Sequence, residues 1–225
     1  MAYATVEELR AAMVKSSTTS DDTLSDMLDG ATRLIDQLCN RPDGFVALET
    51  ATERTFAGSG TAVQRIDECA EVTAVAVKDS ADDSDYTDWA ATDWLAFGGA
   101  PERPDFQPTD HNRPYTGLMV ELDGDYAVFT SGTYTTRRGF RPSTPVKRAV
   151  PTVKVTAKWG YAATCPPDVK NACMMQAARW WKRMESAMAD TIGSPETGQL
   201  LYKQRLDPDI ANILVNGRYM RPPVA

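Results

Sequence analysis

Residues 153–188 read VKVTAKWGYAATCPPDVKNACMMQAARWWKRMESAM, and most of the fold turns on them. Val153, Val155 and Ala157 alternate with Lys154, Thr156 and Lys158, the two-residue period of a strand with one covered face. Gly160 breaks the run. Pro166 and Pro167 stand where a helix tolerates a missing N–H, in its first turn. Asp168 adds negative charge at the positive end of the helix dipole. Val169, Ala172, Cys173, Gln176, Ala177, Trp180, Trp181, Met184 and Met188 then recur at three- and four-residue spacing. All but Gln176 are apolar or small, so one stripe of a helix over Asp168–Met188 must be covered. Lys170, Arg179, Lys182 and Arg183 fall mostly off that stripe.

Upstream, residues 5–14 suit a short helix. Thr5 and Glu8 have the spacing of a capping box, and Val6, Leu9 and Met13 share a face. A polar linker at 15–20 leads to a second helix capped by Ser20 or Asp21. Its apolar stripe is Leu24, Met27, Leu28, Ala31, Leu34, Ile35 and Leu38, ending near Asn40. Gly30 within it permits close approach of another backbone. From about Thr50 the period shortens. Strands are expected at 54–57, 62–66 and 72–78. Residues 79–93 carry six aspartates and read as an acidic loop or protected sheet edge, with Trp89, Trp94, Leu95 and Phe97 as anchors. The prolines at 101, 104, 108 and 114 mark 100–116 as an extended loop. Leu118–Leu122, Asp123-Gly124 and Asp125–Phe129 have the form of a hairpin. Past Met188, residues 192–198 have linker composition. Pro208–Val215 is a short helix capped by Asp207, with Gly217 just beyond its end. The expected class is α+β: a helical bundle of N-terminal helices and a long C-terminal helix, with an inserted antiparallel β-rich region. The segments are 1–49 (N-terminal helices), 50–152 (β-rich insertion), 153–190 (strand and core helix) and 191–225 (linker, short docking helix, extended tail).

With 225 residues, 42% of them hydrophobic, the chain is long enough for one large domain or two small ones. No run approaches the roughly 18 apolar residues of a membrane span, and the start lacks a signal-peptide pattern. Cys39, Cys69, Cys165 and Cys173 form no C-x-x-C pair, and His111 is the single histidine. Buried free thiols are expected rather than a metal site. His111 lies in the proline-rich loop, a poor mount for a catalytic imidazole. Gly58-Ser59-Gly60 lacks the Lys and helix start of a phosphate loop. No catalytic, cofactor or metal residues are assigned. The net charge of −7 conceals an asymmetry: residues 1–125 hold 25 acidic and 9 basic side chains, residues 126–225 hold 6 and 15. Opposite signs suit a head-to-tail contact between identical copies. Arg137, Arg138, Arg141, Lys147 and Arg148, with Tyr134 and Phe140, form a basic run. An overall acidic chain without a DNA-reading motif nevertheless argues against sequence-specific DNA binding.

The order of Trp159-Gly160-Tyr161, Pro166-Pro167-Asp168-Val169, Ala172, Ala177-Ala178-Arg179-Trp180 and Arg183 resembles the head–tail connector (head-completion adaptor) proteins of long-tailed bacteriophages. Asp207–Ile210 through Leu214 to Tyr219 looks like that family's short C-terminal segment. The resemblance implies a structural virion protein, not an enzyme, made in the host cytoplasm and located at the neck between capsid and tail. It implies a homo-oligomer, a twelvefold ring on the portal protein. A downstream connector or tail-completion protein would be its other partner. Double-stranded DNA would pass through without specific contacts, and no membrane or cofactor is involved. The β-rich middle is longer than the small helical members of the family have. Candidate portal or subunit contacts are Trp180, Trp181, Arg183, Ile210, Ile213, Leu214, Tyr219 and Arg221. One ring of the Trp180-Trp181 pair is expected in the core, since adjacent helical residues point about 100° apart. Deleting Pro208–Ala225 is expected to leave a folded protein that fails to join heads to tails. The alternative is a carbohydrate- or ligand-binding β-domain on a helical scaffold, with tryptophans and the acidic loop lining a cleft.

Overall fold

The structure, a computed structural model, describes residues 2–13, 21–136, 146–185, 191–192, 200–201 and 206–220. The chain divides into two compact units: Met1–Pro42 with Cys165–Ala225, and Asp43–Thr164.

The second unit is built on strands. They are β1 (Thr52–Ala57), β2 (Val63–Val77), β3 (Thr87–Asp88), β4 (Trp94–Ala100), β5 (Arg103–Asp105), β6 (Tyr115–Val120), β7 (Thr133–Thr136), β8 (Val146–Ala149) and β9 (Pro151–Trp159). Strands β7 and β8 form a separate ribbon. The rest make a seven-stranded antiparallel sheet in the order β1-β9-β2-β6-β4-β5, with β3 also paired to β2. The alternation read in 153–159 is what places β9 inside the sheet. Val153, Val155, Ala157 and Trp159 are fully buried, while Lys154, Thr156 and Lys158 are half-buried on the other face. Each large apolar side chain so covered contributes about 1.5–3 kcal/mol. Loop residues complete the core. Trp89 stacks between Tyr126, at 4.3 Å between centroids, and Phe129, at 5.0 Å. The Trp159 indole N–H donates to the Thr52 carbonyl at 2.8 Å, which ties β9 to its neighbour β1.

Strand β2 runs for 15 residues where two short strands are expected. Its start pairs with β6 and its end with β9, and the change of partner coincides with register shifts around Cys69–Glu71 and Val72–Ala74. Bulges of this kind bend and twist a strand, so one strand serves both neighbours. Asp67 and Glu68, which look like a break in the sequence, sit within it. Asp67 is held by Arg54, whose guanidinium also bonds Asp43 through both nitrogens and lies over the Trp159 ring.

The helical unit contains α1 (Val6–Met13), α2 (Asp21–Leu38), α3 (Pro167–Glu185), the short strand pair β10 (Thr191–Ile192) and β11 (Leu200–Leu201), and α4 (Pro208–Asn216). Helices α1, α2 and α4 all pack on α3. Its stripe of Val169, Ala172, Cys173, Gln176, Ala177 and Trp181 is buried. The capping box forms reciprocally: the Thr5 N–H donates to Glu8 at 3.0 Å, and the Glu8 N–H to the Thr5 hydroxyl at 3.2 Å. Glu8 also pairs with Lys170 of α3. At α4, the Asp209 N–H donates to the Asp207 carboxylate at 2.9 Å.

This architecture corrects the expected helical bundle with an inserted β region. A seven-stranded sheet supplies the larger core, and the strand at 153–159 belongs to it rather than with α3. Helix stripes are local and loud in a sequence. Pairings such as Thr52 with Ala157 join residues about a hundred positions apart and leave no local trace. Three finer expectations also change. Residues 94–100, read as loop anchors, are strand β4, paired to β6 and β5. The proposed hairpin keeps only its first arm, within β6. Residues 125–129 form no strand, and Phe129 turns its ring into the core. The loop at 100–116 contains β5 and a short 3₁₀ turn at Pro108–His111.

The charge asymmetry is also resolved within the chain. Lys158 pairs with Glu71 at 2.7 Å and Lys154 with Glu53 at 3.7 Å, so the basic part of the sequence meets the acidic part across the sheet. Counted by unit, residues 43–164 carry 18 acidic and 12 basic side chains, the remainder 13 and 12. The opposite-sign argument for contact between copies is thereby weakened.

Candidate functional site

Gly160 has φ +133°, a backbone state open to glycine. A Cβ there would lie 2.5 Å from the Ala47 Cα. The Gly160 N–H donates to the Glu68 carbonyl at 2.9 Å, and the Leu48 N–H to the Trp159 carbonyl at 2.9 Å. Trp159 and Tyr161 on either side are buried, Tyr161 against Phe45. The W-G-Y triplet is therefore a packed turn at the end of β9.

On α3 the paired tryptophans separate as helix geometry requires. Trp181 is buried and Trp180 half-buried. Gly30 of α2 faces the Trp180 ring, where a Cβ would come within 3.0 Å. The close approach expected at Gly30 is thus made by an indole rather than a backbone. Arg183 is exposed near the end of α3. On α4, Ile210 and Leu214 are fully buried, Ile213 half-buried and Tyr219 buried. The Tyr219 carbonyl accepts from Arg41 Nε at 3.0 Å, and Asp207 pairs with Arg179 at 3.4 Å. The candidates Ile210, Leu214 and Tyr219 are consequently spent inside the unit. Val215, 56% exposed, and Met220, 47% exposed, stand outside it. Val215 belongs to the short helix expected to dock, while Met220 carries no signal in the sequence. Arg221 lies outside the described residues.

Gln176 is the one polar member of the α3 stripe. It is fully buried, and neither amide atom has a hydrogen-bond partner; the Trp181 indole N–H is also unmet. An unsatisfied buried amide costs about 1–3 kcal/mol.

In the sheet unit, two adjoining open grooves of about 490 Å³ each share Ala70, Glu71 and Thr109 at the β2 bulge. One continues past Lys158 and Arg113, the other past Trp94, Leu95 and Phe106. In the first the Glu71 carboxylate is already paired with Lys158. The acidic segment 79–93 is anchored at Tyr86 and Trp89. Tyr86 donates to the Pro151 carbonyl at 3.1 Å and lies under Lys78 and Lys154, and Trp89 enters the core.

His111 closes the 3₁₀ turn. Of the basic run, Lys147 and Arg148 lie on β8 opposite Thr135 and Tyr134 of β7; Arg137, Arg138, Phe140 and Arg141 fall outside the described residues. All four cysteines are free, three of them buried. Burial pushes the Cys69 and Cys165 thiols up to about 12 and the Cys39 thiol up to about 11. They stay protonated near neutral pH and are poor nucleophiles. Among the described residues no group of acidic, Cys or His side chains has the arrangement of a metal site, and no helix is long and apolar enough to cross a membrane. No family model matches the chain, and no curated protein sequence matches it.

Proposed function

We propose that this chain is a structural virion protein, a head-to-tail adaptor. It forms a twelvefold ring beneath the portal, extends the DNA channel and joins the head to the tail. One observation carries the proposal. The spaced motif from Trp159 to Arg183, on which the resemblance rests, coincides with a strand end, a glycine turn and the helix that organises the helical unit. Its apolar residues Trp159, Val169, Ala172 and Ala177 are fully buried framework, while Asp168 and Arg183 are exposed. A motif made largely of framework residues suits a protein that acts by shape and assembly rather than by bond-making.

The packing of α4 changes how this is tested. Deleting Pro208–Ala225 would strip Ile210 and Leu214 from the helical unit, so the truncated chain is no longer expected to fold, and its failure to join heads would be uninformative. The informative experiment is a stop codon early in the gene of the phage that encodes the chain. DNA-filled heads without tails are expected, rescued by the full-length protein in trans. Tailed, infectious particles made without it would overturn the proposal.

The carbohydrate-binding alternative needs exposed aromatic rings. Trp89, Trp159 and Trp181 are buried and Trp180 is packed on Gly30, which leaves half-buried Trp94 and exposed Phe106 beside one groove.

A further inference from the structure

Among the described residues, the most exposed large apolar side chain in the sheet unit is Leu122, at 97%, and in the helical unit Val215, at 56%. A lone exposed leucine is ordinary. Leu122 differs because the turn that carries it is held. Asp93 is buried, and its carboxylate accepts the Ala90 N–H at 2.9 Å and the Asp125 N–H at 3.3 Å. The Asp93 carbonyl accepts the Glu121 N–H at 2.9 Å, and the Glu121 carbonyl the Gly124 N–H at 3.1 Å. Glu121 further accepts the Leu122 N–H at 3.1 Å. A leucine is therefore presented on a fixed turn, flanked by the exposed carboxylates of Asp123 and Asp125.

The end of α4 has the complementary character. Val215 and Met220 bracket Arg218, which is exposed and has φ +56°. The N–H groups of Gly217, Arg218 and Tyr219 donate to the carbonyls of Ile213, Val215 and Leu214. Tyr219 is itself buried, with its carbonyl held by Arg41. This surface is also preformed. Asp207, the acidic cap of α4, lies about 12 Å along the helix from Val215 and is paired with Arg179. Among the described residues no ion pair engages Asp123, Asp125 or Arg218.

We propose that the Leu122 turn of one copy docks on the Val215–Arg218–Met220 surface of a second copy, apolar on apolar, with Asp123 and Asp125 facing Arg218. The two surfaces are different patches of the same chain, so the contact is heterologous, the kind that builds a ring when the rotation between copies closes. Preformed patches lose little conformational freedom on docking. The inference rests on the ring reading above and names the contact that builds the ring.

The test uses two full-length preparations with Cys165→Ser, one carrying Leu122→Cys and the other Val215→Cys, treated with a short bismaleimide at high protein concentration. A covalent dimer is expected in the mixture and not in either preparation alone. Asp123→Lys with Asp125→Lys on the first copy should lower its yield by at least about tenfold, since like charges would then face each other. Arg218→Glu on the second copy should restore it. Absence of the mixed product, equal product from one preparation alone, or loss without restoration overturns the contact. A neck ring in particles that lack this product rejects the contact and leaves the adaptor reading intact. Tailed particles from the stop-codon phage reject the adaptor reading while the cross-link is still scored on purified protein.

Discussion

The two units of this chain hold themselves together in different ways. The sheet unit is knit by long-range pairings around an apolar and aromatic core, where Trp159 is both fully buried and hydrogen-bonded. The helical unit draws on stretches from both ends of the chain. It is stapled by local caps and a few ion pairs, and it keeps an unmet amide in its centre at Gln176. The sheet unit has an unmet donor of its own, the Trp94 indole N–H, but on a half-buried residue and not at its centre. The helical unit forgoes stability at one point of its central helix. The difference teaches that the motif behind the connector resemblance spans both kinds of packing: it starts at Trp159 in the sheet unit and continues into the helix that carries the unmet Gln176.

Three substitutions sharpen or break that contrast. The largest effect is expected from Trp159→Ala, which removes a fully buried ring and its bond to Thr52. About 3–5 kcal/mol of stability should be lost, read as faster amide exchange in β1, β2 and β9. Unchanged protection there would mean that the sheet does not depend on its aromatic core. Next, Gln176→Leu should raise the urea midpoint, with a gain of about 1–2 kcal/mol from removing an unpaired amide. A clear loss instead would show that the amide is satisfied in solution and that the helical unit carries no such weakness. The smallest effect belongs to Glu8. The hydrogen bond from Lys170, and after it the Thr5 N–H, holds its carboxyl below the ordinary glutamate range. Its stabilising contribution is therefore full above the unfolded value and lost as pH falls through the lower folded value. Glu8→Gln preserves an acceptor for the capping box, so it isolates the charge. The variant should melt slightly lower than the parent at pH 7, and the difference should vanish in acid, below about pH 3. A pH-independent difference would remove the ion pair from the account.

What could be read from the sequence follows the same divide. Caps, stripes and the splitting of Trp180 from Trp181 depend on residues within a turn or two of each other, and they were legible. The sheet was not. Residues 94–100 carry a run of Trp, Leu, Ala, Phe and Gly with no alternation, and only their pairing to β6 makes them a strand. Asp123-Gly124 is a sound turn signal, but the backbone N–H of Phe129 finds the Thr61 carbonyl at 2.9 Å instead of a hairpin partner. Burial of some candidate contacts has a related cause. Ile210 and Leu214 are apolar and were read as free to dock elsewhere, yet α3 already covers them. The exposed residues, Leu122 and Val215, are single apolar positions that a sequence cannot distinguish from core.

The central claim is that this polypeptide is a component of the connection between capsid and tail. Averaged electron micrographs of intact particles, with a folded tag inserted at the exposed turn at Asp82–Ser84, away from the proposed contact between copies, test it most directly. Extra density arranged as a twelvefold collar between portal and tail is the predicted result. Tag density at the tail tip, on the capsid surface, or nowhere on the particle would contradict it.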